Sequence, residues 1–212
     1  MPDDALLKTL TQLASLPNTD VAIVSGRDKV FLEKWFGPLQ LTLVAEHGYF
    51  VKQPKQKWIA NGSADNTWKK DLLPIMEAFT DRTPGTFIEE KTNSLVWHYR
   101  KTDPELAAER VVELKTVLAS LISDKLSIMD MDKALEVVNS QITKGTAVSD
   151  LVSNKNYDFI LCAGDDVTDE NMFTSLPGHT RTIKVGRKKT EAMYYIEDIE
   201  HVKALLSTLA TI

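Results

Sequence analysis

Phe159-Ile160-Leu161-Cys162-Ala163-Gly164-Asp165-Asp166-Val167-Thr168-Asp169-Glu170 is an apolar run that stops at a glycine and breaks into an acidic turn. An apolar run of this length reads as a strand buried on both faces of a parallel sheet. Residues just past the carboxyl end of such a strand lie where open α/β sheets bind their ligands. Asp165, Asp166 and Asp169 are three carboxylates within five residues. They repel one another unless a cation or solvent compensates, and oxygen ligands at such a corner suit a hard cation such as Mg²⁺. A metal corner hydrolyses nothing without a nucleophile, so the rest of the chain must be searched for one.

The same rhythm recurs on both sides of this stretch. Residues 142–151 read as a helix before it, 169–176 as a helix after it, and 181–185 as a further strand. Nearer the N-terminus, 21–24 and 41–45 are short buried-type strands. Between them Ser25-Gly26-Arg27-Asp28 turns into a helix over 29–36. Amphipathic helices over 3–15 and 196–209 complete an α/β pattern with helices on both faces of a parallel sheet. The middle of the chain differs. Helix 68–79, strands 86–90 and 95–100, helix 104–122 and a second hairpin of 126–129 with 134–138 make an α+β module. The polar stretch 53–66, with Pro54, Gly62 and Ser63, is the expected linker into it. The expected division is therefore a core of 1–52 and 139–212, with an inserted cap of 53–138.

Composition excludes some functions. The 212 residues are 43% hydrophobic and 26% charged, with a net charge of −5, so no basic surface for nucleic acid is expected. The lone Cys162 sits in the apolar run and reads as a buried structural thiol, which excludes a disulfide framework. No apolar run has the length of a membrane span and no signal-type segment opens the chain, so a cytoplasmic setting is expected.

Two more residues end up near the acidic turn if the strands lie side by side. Ser25 ends a strand and offers a hydroxyl to a phosphate oxygen, although a Ser-Gly turn is also just a turn. Lys144, at a helix start, can neutralise phosphate charge, although a helix-start lysine is also simply solvated. In this order Ser25, Lys144 and Gly164-Asp165-Asp166 resemble the second, third and fourth motifs of the haloacid dehalogenase (HAD) phosphatases. Val24-Ser25-Gly26-Arg27, Ala45-Glu46-His47-Gly48, Glu89-Glu90-Lys91, Val96-Trp97-His98-Tyr99-Arg100 and Leu135-Glu136-Val137 look like trehalose-6-phosphate phosphatase. The likeness is closest to the C-terminal half of bacterial two-domain trehalose synthase/phosphatase proteins and covers nearly the whole chain.

The resemblance implies a HAD-like Rossmannoid core whose inserted α+β cap closes over a disaccharide phosphate. It implies Mg²⁺-dependent hydrolysis of trehalose 6-phosphate through an aspartyl-phosphate, with a trehalose-6-phosphate synthase domain as a possible partner. Asp165 matches a Mg²⁺ ligand, with Asp166 and Asp169 beside it. Ser25 and Lys144 match phosphate contacts, and Arg27 a residue of the substrate crevice. Glu89, Lys91, Arg100 and Glu136 match cap positions that hydrogen-bond sugar hydroxyls. On the residues alone, Glu89, Lys91 and Arg100 read as an ion-pair ladder across a hairpin.

In the resemblance, the nucleophile and the general acid/base come from an Asp-x-Asp-Gly-Thr motif on a strand ahead of the first helix. These 212 residues open at that helix, so Met1 looks like a start inside the domain, and hydrolysis by the chain alone is expected to be negligible. Asp130-Met131-Asp132 imitates the motif but lacks the Gly-Thr, and Asp-Met-Asp-Lys suits a hairpin turn. Another departure follows Glu136-Val137: Val138-Asn139-Ser140 stands where relatives carry an arginine and a glycine-containing loop. Without the motif's strand, the strands ending at Ser25 and Ala163 are expected to pair with each other, recruit a strand, or leave two open edges. The competing readings are a non-catalytic sugar-phosphate-binding domain that serves a synthase, and a HAD phosphatase for another sugar.

Overall fold

The computed structural model describes residues 2–61, 66–153 and 155–211. In chain order the elements begin α1 (Asp4–Ser15), β1 (Ala22–Val24), α2 (Lys29–Phe36), β2 (Thr42–Ala45), β3 (Phe50–Lys52) and β4 (Ile59–Ala60). The middle holds α3 (Lys69–Asp81), β5 (Phe87–Glu90), β6 (Ser94–His98), α4 (Pro104–Leu121), β7 (Leu126–Met131) and β8 (Ala134–Asn139). The chain ends with α5 (Lys144–Ser153), β9 (Leu161–Gly164), α6 (Glu170–Ser175), β10 (Arg181–Val185), β11 (Tyr194–Ile196) and α7 (Ile199–Leu209). Two compact units result: Met1–Asn61 with Ile142–Ile212, and Gly62–Gln141. The first boundary lies later than the expected 52/53 because β4 pairs antiparallel with β3 and so stays with the first unit. Gly62 and Ser63 of the expected linker lie outside the described residues.

Helix starts are written locally. Asp3 accepts the Leu6 N–H at 2.8 Å, Asp28 the Phe31 N–H at 2.8 Å, and Asp103 the Glu105 and Leu106 N–H groups just ahead of Pro104. Each such cap satisfies donors the helix itself leaves open.

In the first unit β1 and β2 run parallel, and β9, β10 and β11 form a second parallel set. Antiparallel β3 and β4 were not anticipated and extend the β2 side. Pairing of β1 with β9 was one expected outcome, and it does not occur. Each is the terminal strand of its own sheet among the described residues. The two sheets are joined instead by side chains and helices. Asp20, just before β1, receives Lys155 Nζ at 2.6 Å and Tyr157 Oη at 2.7 Å, and Lys203 of α7 reaches Asp3 at 2.8 Å.

The bonds from Lys155 and then Tyr157 hold the Asp20 carboxyl below its ordinary value. A depressed folded-state pKa gives stability that is present above the ordinary carboxylate pKa and fades as pH falls through the lower folded value. Asp20→Asn is therefore expected to cost under about 1 kcal/mol at pH 7, because both partners are half exposed. The cost should vanish well below pH 4 in urea unfolding, and a cost that persists at pH 2 would show that charge is not its origin.

In the second unit β5-β6-β8-β7 form one antiparallel sheet. Leu95 and Trp97 of β6 and Leu135 and Val137 of β8 pack with Leu72 and Met76 of α3 and Leu114 and Leu118 of α4. Trp97 is fully buried, yet its indole N–H finds Thr80 Oγ1 at 3.0 Å. The second hairpin turns at Asp132-Lys133, where Lys133 takes φ 60°. Asp130 lies on β7 with its carboxylate held by Lys115, and Asp132 pairs with Arg100. The Asp-x-Asp lookalike is thus a hairpin end.

Candidate active site

β9 ends at Gly164, and the chain passes through Asp165 and Asp166 into a 3-10 turn, Val167–Asp169, and then α6. Asp169 folds back over Gly164, where an added Cβ would lie 2.4 Å from the Asp169 carboxylate, so only glycine fits. One Asp169 oxygen receives Lys144 Nζ at 2.7 Å, with both side chains 6% exposed. The other accepts the Asp166 N–H at 2.9 Å. Asp166 itself accepts the Val167 N–H at 2.7 Å.

These bonds show how the carboxylates expected around a cation are engaged by the protein. Among the described residues no group of three His, Cys, Asp or Glu is placed to hold a metal. Asp169 spends both oxygens on protein donors, and Asp166 caps the turn. Asp165 alone is exposed. That still fits Mg²⁺, which is typically bound by one or two carboxylates with water and substrate phosphate making up its shell. Behind the turn, burial pushes the Cys162 thiol up to about 12, with the Asp169 charge adding to the shift and Lys144 opposing it. Cys162 is half-buried and stays a neutral structural thiol, as its sequence setting suggests.

Lys144 owes its place to a cap. Thr143 Oγ1 accepts the Thr146 N–H at 3.0 Å, so α5 begins at Lys144, two residues later than its periodicity indicates. The neighbouring turn Glu46–Gly48 brings Ser25 to the same end of the unit. His47 donates its N–H to the Ser25 carbonyl at 3.1 Å. Gly48, at φ 117°, lies so close to Thr143 that an added Cβ would sit 2.6 Å from the Thr143 carbonyl oxygen. Ser25 Oγ accepts the Arg27 N–H at 3.2 Å, and the exposed Arg27 guanidinium lies 4.4 Å from the Phe31 ring centroid. The Glu46–Gly48 segment thus touches both Ser25 and Thr143, the residue that precedes Lys144.

The cap carries its own polar cluster on the sheet face opposite its helices. Register places Glu89, Val96 and Glu136 in one row across β5, β6 and β8. Glu136, 1% exposed, receives Ser94 Oγ at 2.6 Å and Lys91 Nζ at 3.2 Å. Glu89 meets His98 Nε2 at 2.8 Å, and His98 stacks on Phe87. Lys91, Glu89 and Glu136 therefore share a face, whereas Arg100 does not join them. Its guanidinium binds the Asp132 carboxylate at 2.7 Å and the Asp132 carbonyl at 3.0 Å at the hairpin turn.

Sequence reasoning missed four residues. Ser94 and His98 are marked by strand alternation, since they fall on the same face of β6 as Val96. Lys184 and Glu170 carry no such mark. Lys184 is 2% exposed on β10 and lies 2.9 Å from Glu170. Burial opposes the charge on Glu170, but the Glu191 N–H, Lys184 and Thr190 outweigh it and hold the carboxyl below its ordinary value.

Residues 1–200 match the family model described as trehalose-phosphatase. A bifunctional trehalose-6-phosphate synthase/phosphatase of Thermoproteus tenax is 41% identical over 210 residues, covering 99% of this chain and 29% of that protein. A trehalose-phosphatase of Schizosaccharomyces pombe is 40% identical over 228 residues, covering 99% of this chain and 28% of that one. The chain thus spans less than a third of the length of these curated relatives. Among solved structures, the C-terminal domain of the C. albicans trehalose-6-phosphate phosphatase superposes with a TM-score of 0.89 at 31% identity, covering 100% of this chain and 85% of that one. The chain has the α/β core and α+β cap of that fold.

Proposed function

The chain belongs to the trehalose-phosphatase family, and from that premise we propose that it is the phosphatase unit acting on the phosphomonoester of trehalose 6-phosphate. One observation carries the reading: the buried Lys144–Asp169 pair anchors the turn that leaves Asp165 outward at the end of a parallel strand. In this reading Asp165 is a ligand of Mg²⁺, which when bound offsets phosphate charge. Lys144 and Ser25 take phosphate oxygens, and Arg27 lines the crevice. Glu89, Lys91 and Glu136 select the sugar, since charged donors and acceptors discriminate hydroxyl patterns strongly. Arg100 joins them only if it releases Asp132. The nucleophile belongs to the Asp-x-Asp-Gly-Thr motif, which these 212 residues do not contain. A cytoplasmic setting and a synthase partner belong to the same proposal; relatives that join both activities in one chain support the partner.

Calorimetric titration with trehalose 6-phosphate tests the sugar site. Glu136→Gln is expected to weaken binding about tenfold or more, the worth of a charged hydrogen bond, while inorganic phosphate binds as before. Unchanged affinity for trehalose 6-phosphate would remove Glu136 from the site. A second reading is a sugar-phosphate-binding domain that serves a synthase. Under it the chain binds trehalose 6-phosphate but acquires no hydrolysis when the motif is supplied.

A further inference from the structure

The acidic turn is fixed from below by a residue that faces it in register. On β10, Lys184 pairs with Gly164, the residue at which the turn opens. Its ammonium is buried, and it donates to the Asp166 carbonyl at 2.9 Å while lying 2.9 Å from Glu170 Oε1. Burying an ammonium costs several kcal/mol, and an apolar side chain of similar length would fill the same space without that cost. The two bonds are what the charge supplies. Since Asp169 accepts the Asp166 N–H, both backbone polar groups of Asp166 are held by charged side chains. The Asp169 bond sets the peptide plane that follows Asp165, and the Lys184 bond sets the next plane, so the backbone is held on both sides of Asp166, directly after Asp165.

Glu170 extends the clamp to a second loop. Its carboxylate accepts the Glu191 N–H at 2.8 Å and the Thr190 hydroxyl at 3.0 Å. Thr190 Oγ1 accepts the Ala192 N–H at 3.0 Å, and Thr182 Oγ1 on β10 accepts the Met193 N–H at 2.9 Å. The loop so fastened begins Gly186-Arg187-Lys188-Lys189, a run of three cations. We propose that Lys184 and Glu170 are positioning residues that lock the 165–169 turn to the 186–193 loop, so that Asp165 and the basic run keep one fixed relation. The consequence for a cation at Asp165 rests on the phosphatase reading above.

The test combines amide hydrogen exchange with Mn²⁺ binding in the 212-residue chain. Lys184→Met keeps the bulk, and Glu170→Gln keeps the shape. In Lys184→Met the amides of Asp166, Asp169 and Glu191 should exchange at least tenfold faster, while those of Arg181 and Ile183 on β10 change less than twofold. Glu170→Gln should release the Glu191 amide similarly. Unchanged loop amides, or equal acceleration throughout β9, β10 and α6, would overturn the lock. Mn²⁺ affinity, read by water-proton relaxation, should fall at least tenfold in Lys184→Met. A wild-type chain that fails to bind Mn²⁺ at millimolar concentration would count against the phosphatase reading, whereas the exchange rates decide the lock independently.

Discussion

Placing an apolar strand that ends in Asp-x-Asp-Gly-Thr ahead of Asp3 is expected to raise phosphate release from trehalose 6-phosphate by about a thousandfold or more over the 212 residues alone. An in-line carboxylate nucleophile removes most of the barrier that water faces, since a positioned group replaces a bimolecular encounter. In the proposed reading, Ser25, Lys144 and the outward Asp165 surround such a group. The 212 residues also leave β1 and β9 each with a second edge unpaired among the described residues. Those edges are the natural hydrogen-bonding partners for an added strand. In the extended protein Asp165→Ala should abolish the gain, and a chelator should do the same. Ready phosphate release by the unextended chain, lost on Asp130→Asn, would overturn both this expectation and the hairpin reading of Asp130-Met131-Asp132. Failure of every extended version to hydrolyse, with trehalose 6-phosphate still bound, would favour the regulatory reading.

Lys144→Met is expected to destabilise the first unit by about 3–5 kcal/mol, because it strands a buried carboxylate without its partner. The Asp169 carboxylate would keep the Asp166 N–H but lose the ammonium 2.7 Å away. Adding Asp169→Asn should return much of the loss, because an amide has no charge to strand and its carbonyl still accepts the Asp166 N–H. Urea unfolding of the two single variants and the double variant measures this directly. Additive losses in the double variant would show that the pair is not coupled, and would weaken the claim that Lys144 anchors the acidic turn.

Much of the frame was legible before any coordinates. Helix 29–36 and strand 181–185 fall where the sequence reading placed them. β3, β4 and β11 were missed. Phe50–Lys52 follows a kinked turn in which Glu46 and His47 both have positive φ, and Ile59–Ala60 is two exposed residues within a polar stretch. Tyr194–Ile196 is too short to show alternation. In the cap the two hairpins were expected separately, and β6 joins β8 to make them one sheet.

By itself the sequence determined the α/β class, the inserted α+β cap and the place of the acidic turn, since these follow from local periodicity and from residue types at fixed spacing, while the family came from the resemblance of its motifs. Only the tertiary structure decided which carboxylate remains available. Lys144 reaches the Asp169 carboxylate across 25 positions, whereas the Asp166 carboxylate is held by its neighbours Val167 and Thr168. A carboxylate oxygen is committed or free according to the donors packed against it, and for Asp169 the decisive donor comes from α5. Spacing placed three aspartates after Gly164, and packing leaves Asp165 the exposed one of the three.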